Sequence, residues 1–476
     1  MMTLKRNLVA ALLCTALPLT LQASETQPYA PSYLTVVGDK APALKDWSEP
    51  KRCKGCHPRQ WTGWQGSMHS IAFIDPVFQS EWAMGDKETD GVTRNLCGGC
   101  HTAFGTVTQT VEFDPDQEKN GLFTTQGVAA KGISCEVCHS VVDTNMRHTA
   151  MGEHGNGSLA LANDKVKRGP LSDAKARGHQ AEYSELHTKS EFCANCHNVF
   201  NPAHDNFALE HTYQEWKASP YAESGIQCQD CHMVPVEAAI RVADEMKPVA
   251  ELANHGLGGK AARGGKQRPL VHDHGFVGGN AVLAPLLGVK NGEEHAAEAK
   301  KRLKSAATVD TKIIRDGDDG VLQVTVHNRR AGHALPTSLT FIRQVWLEVV
   351  IRDSQGKELL RSGSLDADNL LPEGTVLFQN GSVDAKGNPE HKPWKIARFA
   401  TENTIAPKGH KTVEYRFSLP EGADDYRVET KLNYRSFDQG VADYLLKDKV
   451  LVPSVEMASL SQVFNGTQLK ASEASF

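Results

Sequence analysis

The sequence predicts two unlike halves: a mainly α-helical and irregular N-terminal domain filled by something other than side chains, then an all-β C-terminal sandwich. Three observations carry this. No cysteine follows Cys231, so the cysteine-bearing and cysteine-free parts separate cleanly along the 476-residue chain. Hydrophobic residues make up 40% and aromatics only 7%, thin for a chain of this length unless a non-peptide group completes an interior. From about residue 308 apolar and polar residues alternate with a period of two, as in half-buried strands. The length suits two domains of ordinary size.

The first residues, MMTLKRNLVAALLCTALPLTLQA, place Lys5 and Arg6 before an apolar run and a small-residue site ending at Ala23. This reads as a secretory signal peptide over 1–23, too short a run for a membrane span. Cys14 lies inside it. No later segment is apolar enough to cross a bilayer, so the sequence places the mature chain in the periplasm or outside the cell, touching membranes only through partners. Removing Lys5 and Arg6 takes the formal charge from −5 to −7, and a mildly acidic chain without basic clusters argues against nucleic-acid binding.

The remaining ten cysteines all fall in C-x-x-C-H units. These are Cys53, Cys56 and His57; Cys97, Cys100 and His101; Cys135, Cys138 and His139; Cys193, Cys196 and His197; and Cys228, Cys231 and His232. The chain's own frequencies give about 0.01 such units by chance, and the unit is the attachment pattern of c-type haem. On a helical turn, positions i, i+3 and i+4 share a face, so two thiols reach the two vinyl groups while the imidazole points at the iron. Thioether formation needs an exported chain, in agreement with the signal peptide. Local disulfides leave the five histidines unexplained. Zinc pairs commonly lie about 15 to 20 residues apart, whereas successive units here are separated by 44, 38, 58 and 35 residues. The expectation is five covalent haems c with proximal ligands His57, His101, His139, His197 and His232, each binding as neutral imidazole with its other ring nitrogen held by a carbonyl, carboxylate or water.

A sixth ligand for each iron has to come from the other histidines. Between 51 and 250 there is one unit per roughly 40 residues, so the macrocycles themselves supply much of the core and nearby histidines are candidates. His69 follows an amphipathic segment with Trp61 and Trp64. His179 and His187 flank a polar stretch before Cys193. One of His272 and His274 is expected to bind, His274 being preferred. Met68 and Met151, with His148 and His154, stand in reserve, whereas Met233 directly follows His232 and cannot easily reach the opposite face of that haem. A methionine ligand would raise the reduction potential relative to a histidine pair.

The segment 292–307, within a connecting stretch at 291–307, reads as a helix joining a haem domain at 24–290 to the β domain at 308–476. The runs 321–328, 343–353, 411–419 and 426–435 read as strands, with Val345, Leu347, Val349 and Ile351 on one face. They suggest a sandwich similar to immunoglobulin-like or fibronectin-like modules. The turn DGDDG at 316–320 lacks the spacing of a calcium loop. His333 lies in a loop between strands, where it either lends a ligand to the other domain or is an ordinary turn histidine.

Together, CKGCHPRQWTGWQGSMHS, LHTKSEFCANCHNVFNP, YQEWKASPYAESGIQCQDCHM, HDHGFVGGN and NRRAGHALPTS resemble the multihaem cytochrome c family with a cytochrome c-554/c-prime-like haem domain followed by a β-sandwich. The resemblance spans most of the mature chain. It implies axial roles for His69, His187, His274 and His333, with His179 matching a further histidine. The last motif reads P-T-S where P-T-G is more usual. Five histidine pairs would leave no iron open.

That coordination implies single-electron transfer at modest or negative potentials. The leading expectation is a periplasmic electron carrier between a quinol-linked donor and a terminal reductase or outer-surface acceptor. The alternative is an enzyme that reduces or oxidises a small nitrogen or sulfur compound at one open iron. A third reading is a structural, conducting assembly in which the sandwich is a docking module. Oligomeric state is not legible.

Overall fold

The structure is a computed structural model that describes residues 28–38, 40–420, 425–466 and 469–471; the expected signal peptide lies outside them. Among the described residues no helix is long and apolar enough to cross a membrane.

The N-terminal half is a string of short helices and two- or three-stranded ribbons. Its main helices are Pro76–Glu88 and Val92–His101. The first begins sharply because Asp75 accepts hydrogen bonds from the amides of Val77 (2.9 Å) and Phe78 (3.3 Å), with Pro76 in the first turn. Small apolar clusters lie between the cysteine units, one built on Trp82 and Phe123, another on Tyr221 and Val242.

The C-terminal half holds two four-stranded sheets. One runs in the order His410–Ser418, Asp319–Asn328, Ala307–Asp316, Lys470–Ala471. The other runs Glu358–Ser362, Gln344–Asp353, Asp425–Arg435, Val455–Asn465. Leu322, Val324 and Val326 of the first sheet share one core with Val345, Leu347, Val349 and Ile351 of the second. The alternation read from sequence therefore becomes the inner face of a two-layer β domain, each fully buried side chain contributing roughly 1.5–3 kcal/mol. DGDDG forms the hairpin that pairs Asp316 with Asp319.

Several contacts join the halves. The helix Gly292–Ala306 buries Ala296, Ala299 and Leu303 in the β core. It also directs the Arg302 guanidinium at the carbonyl of Cys231 (2.8 Å). Glu88, at the end of the first main helix, pairs with Lys392 (2.5 Å) and Lys395 (2.6 Å) of the β domain. Finally, Arg330 forks onto both oxygens of Asp244, at 2.9 and 2.8 Å.

Candidate functional site

All five C-x-x-C-H units sit on helical turns. Three coincide with a helix or its last turn: Val92–His101, Cys135–His139 and Cys228–His232. In the other two, the amide of His57 bonds the carbonyl of Cys53 (2.8 Å) and that of His197 the carbonyl of Cys193 (2.9 Å). All ten thiols are free. Each unit thus presents two sulfurs and an imidazole on one face.

The proximal imidazoles are held from behind. Nδ1–H donates to a carbonyl in four units: His57 to Ala261 (2.8 Å), His101 to Ala72 (2.8 Å), His139 to Arg168 (2.6 Å) and His232 to Val277 (2.9 Å). A carbonyl only accepts, so Nδ1 carries the proton and Nε2 keeps its lone pair for a metal. The exception is His197, whose Nδ1 stands 3.5 Å from the Glu210 carboxylate. Burial alone would depress His197, yet Glu210 carries it up to about 9. His232 goes the other way, to about 3, and His101 to about 4, burial being the main cause of both.

Four proximal rings face a second imidazole. The centres are 6.3 Å apart for His57 and His179, and 6.2 Å for His139 and His274, His197 and His69, and His232 and His333. With metal–imidazole bonds of about 2 Å and about 1 Å more to each ring centre, two ligands of one metal stand roughly 6 Å apart. The arrangement fits a macrocycle between the rings. Buried Nδ1 atoms of His69 and His274 have no hydrogen-bond partner, and burial pushes both histidines down to about 3.

The distal segments are tightly placed. Gly132, at φ +56°, lies so close that a Cβ would come 2.5 Å from the carbonyl oxygen of His69. A Cβ on Gly63 would come within 3.2 Å of the His274 backbone. His333 is held by its neighbours: the Ala334 amide and Thr337 hydroxyl both donate to Glu215, at 3.1 and 2.5 Å.

Two sites depart from the expected pattern. His187 lies 5.8 Å from His139, but its Nε2 is 3.0 Å from the carbonyl of Cys138, in the helix that carries His139. That hydrogen bond occupies the Nε2 that would otherwise face a metal. The ring beside His101 is Phe78, centred 3.5 Å away and nearly parallel at 5°. A metal binds in the imidazole plane, so a ring lying flat on its face steadies His101 without replacing a ligand. Among the described residues, which include every histidine, no imidazole pairs with His101 as in the other four units.

Units also touch each other through sulfur. The thiols lie beside one another in three pairs, Cys53 with Cys135, Cys100 with Cys196, and Cys193 with Cys228. The first unit thus abuts the third, while the fourth abuts both the second and the fifth. Sequence reasoning finds the tethers, but not Glu210, Phe78 or the carbonyl acceptors, which no local pattern marks.

Free thiols paired with one imidazole each, and imidazoles facing across the width of a metal, define a c-type cytochrome with several haems. Residues 52–140 match the family described as cytochrome c554 and c-prime, which supports a multihaem cytochrome c. The fold is similar to a penta-heme cytochrome c552 from Thermochromatium tepidum: TM-score 0.59, 17% identity, covering 89% of this chain and 100% of that one. A second solved structure, the Northeast Structural Genomics Consortium target SoR45, overlaps at a TM-score of only 0.14, with 10% identity over 35% of this chain and 84% of that one. No curated protein sequence matches the chain.

Proposed function

We propose that the chain carries five haems c and relays single electrons as a periplasmic carrier, between a quinol-linked donor and a terminal reductase or extracellular acceptor. Haem supplies the one-electron chemistry; the residues supply ligation, spacing and insulation. The reading rests above all on the four facing imidazole pairs, from which we assign His179 to the first unit, His274 to the third, His69 to the fourth and His333 to the fifth. A paired iron has no free position, so these sites move electrons only. The thiol contacts order the relay from first to third unit, with the fourth as a branch towards the second and fifth. Cys138 lies within electrostatic reach of Cys196, which bridges the two groups. We read the two sheets as an immunoglobulin-like or fibronectin-like module that brings His333 to the relay.

The unpaired His101 favours a second reading: the second unit is open and reduces or oxidises a small nitrogen or sulfur compound there. The mass of the processed chain and a spectroscopic count test both readings. Five haem additions with four low-spin sites and one site that binds carbon monoxide support them together. Five low-spin sites overturn the second reading, and a colourless chain of bare polypeptide mass overturns the first.

A further inference from the structure

Three segments far apart in sequence meet at the first unit. The unit lies in KRCKGCHPR (51–59), and Cys56 is the one exposed cysteine of the ten described, the others being half-buried. The loop GKAARGGKQR (259–268) folds over it, with the Ala261 carbonyl on His57 Nδ1 (2.8 Å) and the Arg263 amide on the Cys56 carbonyl (2.8 Å). The loop DAKARGH (173–179) brings His179 opposite His57. Asp173 ties these loops together through Lys266 (2.8 Å) and Arg268 (2.5 Å).

Those segments contain a single carboxylate, and it is spent on that tie. Arg59 is answered by Asp273 at 2.7 Å. Lys51, Arg52, Lys54, Lys260, Arg263 and Arg177 are exposed, and none has an ion-pair partner among the described residues. A chain whose formal charge is −5 thus concentrates unpaired cations around one edge of its relay. The sequence alone suggested no basic cluster; the cluster is assembled by folding, from three segments 80 or more residues apart.

We propose that this basic rim is the docking surface for an acidic redox protein, which exchanges one electron per encounter with the first unit. This rests on the electron-relay reading. The reduced partner loses the electron, the first site gains it, and no atom moves; the opposite direction balances equally. Charge complementarity selects the partner: the rim attracts an acidic surface, while the negative remainder of the molecule repels one and so orients the encounter.

Stopped-flow oxidation of the fully reduced holoprotein by ferricyanide, across a salt series, reads the local charge. The rate is expected to fall with rising ionic strength, although net charge alone predicts a rise. Lys260→Glu with Arg263→Glu should reverse that slope and leave the haem spectrum unchanged. Lys51→Glu with Lys54→Glu is the second pair, in case either variant matures poorly. Poly-L-aspartate should slow the reaction at low salt, and poly-L-lysine should not. A salt slope that both charge reversals leave unaltered, or no competition by poly-L-aspartate, overturns the docking surface. An unreactive or colourless holoprotein instead overturns the relay reading beneath it.

Discussion

The imidazole of His333, in a loop of the β domain, stands 6.2 Å from that of His232, with the ring planes 18° apart. The two lie about 100 residues apart and in different halves of the chain, so the β domain brings an imidazole to a C-x-x-C-H unit it does not carry. His333→Ala should convert one low-spin site to a high-spin one that binds carbon monoxide, visible by electron paramagnetic resonance as one haem equivalent per chain. His187→Ala should leave the low-spin count unchanged, because its Nε2 is committed to Cys138. Loss of a low-spin site in the His187 variant would contradict the pairing.

The Glu88 clamp predicts a pH dependence of the union between halves. Burial would raise the Glu88 carboxyl, but hydrogen bonds from Lys392, Lys395 and Trp394 outweigh it and hold the group at about 2, below its ordinary 4.5. A depressed carboxyl stabilises the fold fully above pH 4.5 and loses that contribution as pH falls towards 2. Much of the clamp is solvent-screened, so Glu88→Gln should cost only about 1 kcal/mol at pH 7. Thermal unfolding at pH 7 and at pH 3 checks this: the gap between variant and parent should narrow at the lower pH.

What was legible in the sequence follows from the range of each signal. Helical tethers and strand alternation are local, so the five units and the faces of the long strands could be read directly. Strands Ala307–Asp316 and Val455–Asn465 escaped, the second because only Val455 and Met457 at its start are buried. Distal histidines could be nominated, but their partners could not. His69 faces His197, some 130 residues on, rather than the nearby His57. Pairing of that kind depends on how loops cross. The Ala72 and Val277 carbonyls are invisible for the same reason, since every residue but its geometry offers one.

Gly132 predicts a coupling between two sites. Its φ of +56° already disfavours a side chain, and a Cβ would come 2.5 Å from the His69 oxygen and 3.1 Å from the Ala72 amide. His69 faces His197, and Ala72 holds His101 Nδ1 at 2.8 Å. Gly132→Ala should therefore cost about 1–3 kcal/mol in backbone strain alone. It should also disturb the spectra of the second and fourth sites together. Thermal unfolding with magnetic circular dichroism separates this from a general loss of stability, which would alter all sites alike.

Glu210 predicts which site has the lowest electron affinity for its ligand set. Four proximal imidazoles donate Nδ1–H to neutral carbonyls, whereas His197 faces a carboxylate at 3.5 Å that is only 7% exposed. A nearby negative charge strengthens the imidazole as a donor and favours the oxidised, more positive metal, which lowers the reduction potential. Thr212 steadies the carboxylate from the other side, its hydroxyl 3.4 Å from the same oxygen. Glu210→Gln keeps the shape and removes the charge, so one midpoint potential should rise while the others hold nearly still. Spectroelectrochemical titration of holoprotein and variant reads this directly. The fourth unit is where the thiol contacts branch, towards Cys100 on one side and Cys228 on the other. A raised potential there would trap electrons at the junction and slow transfer between the arms, an effect that a merely structural role for Glu210 would not produce.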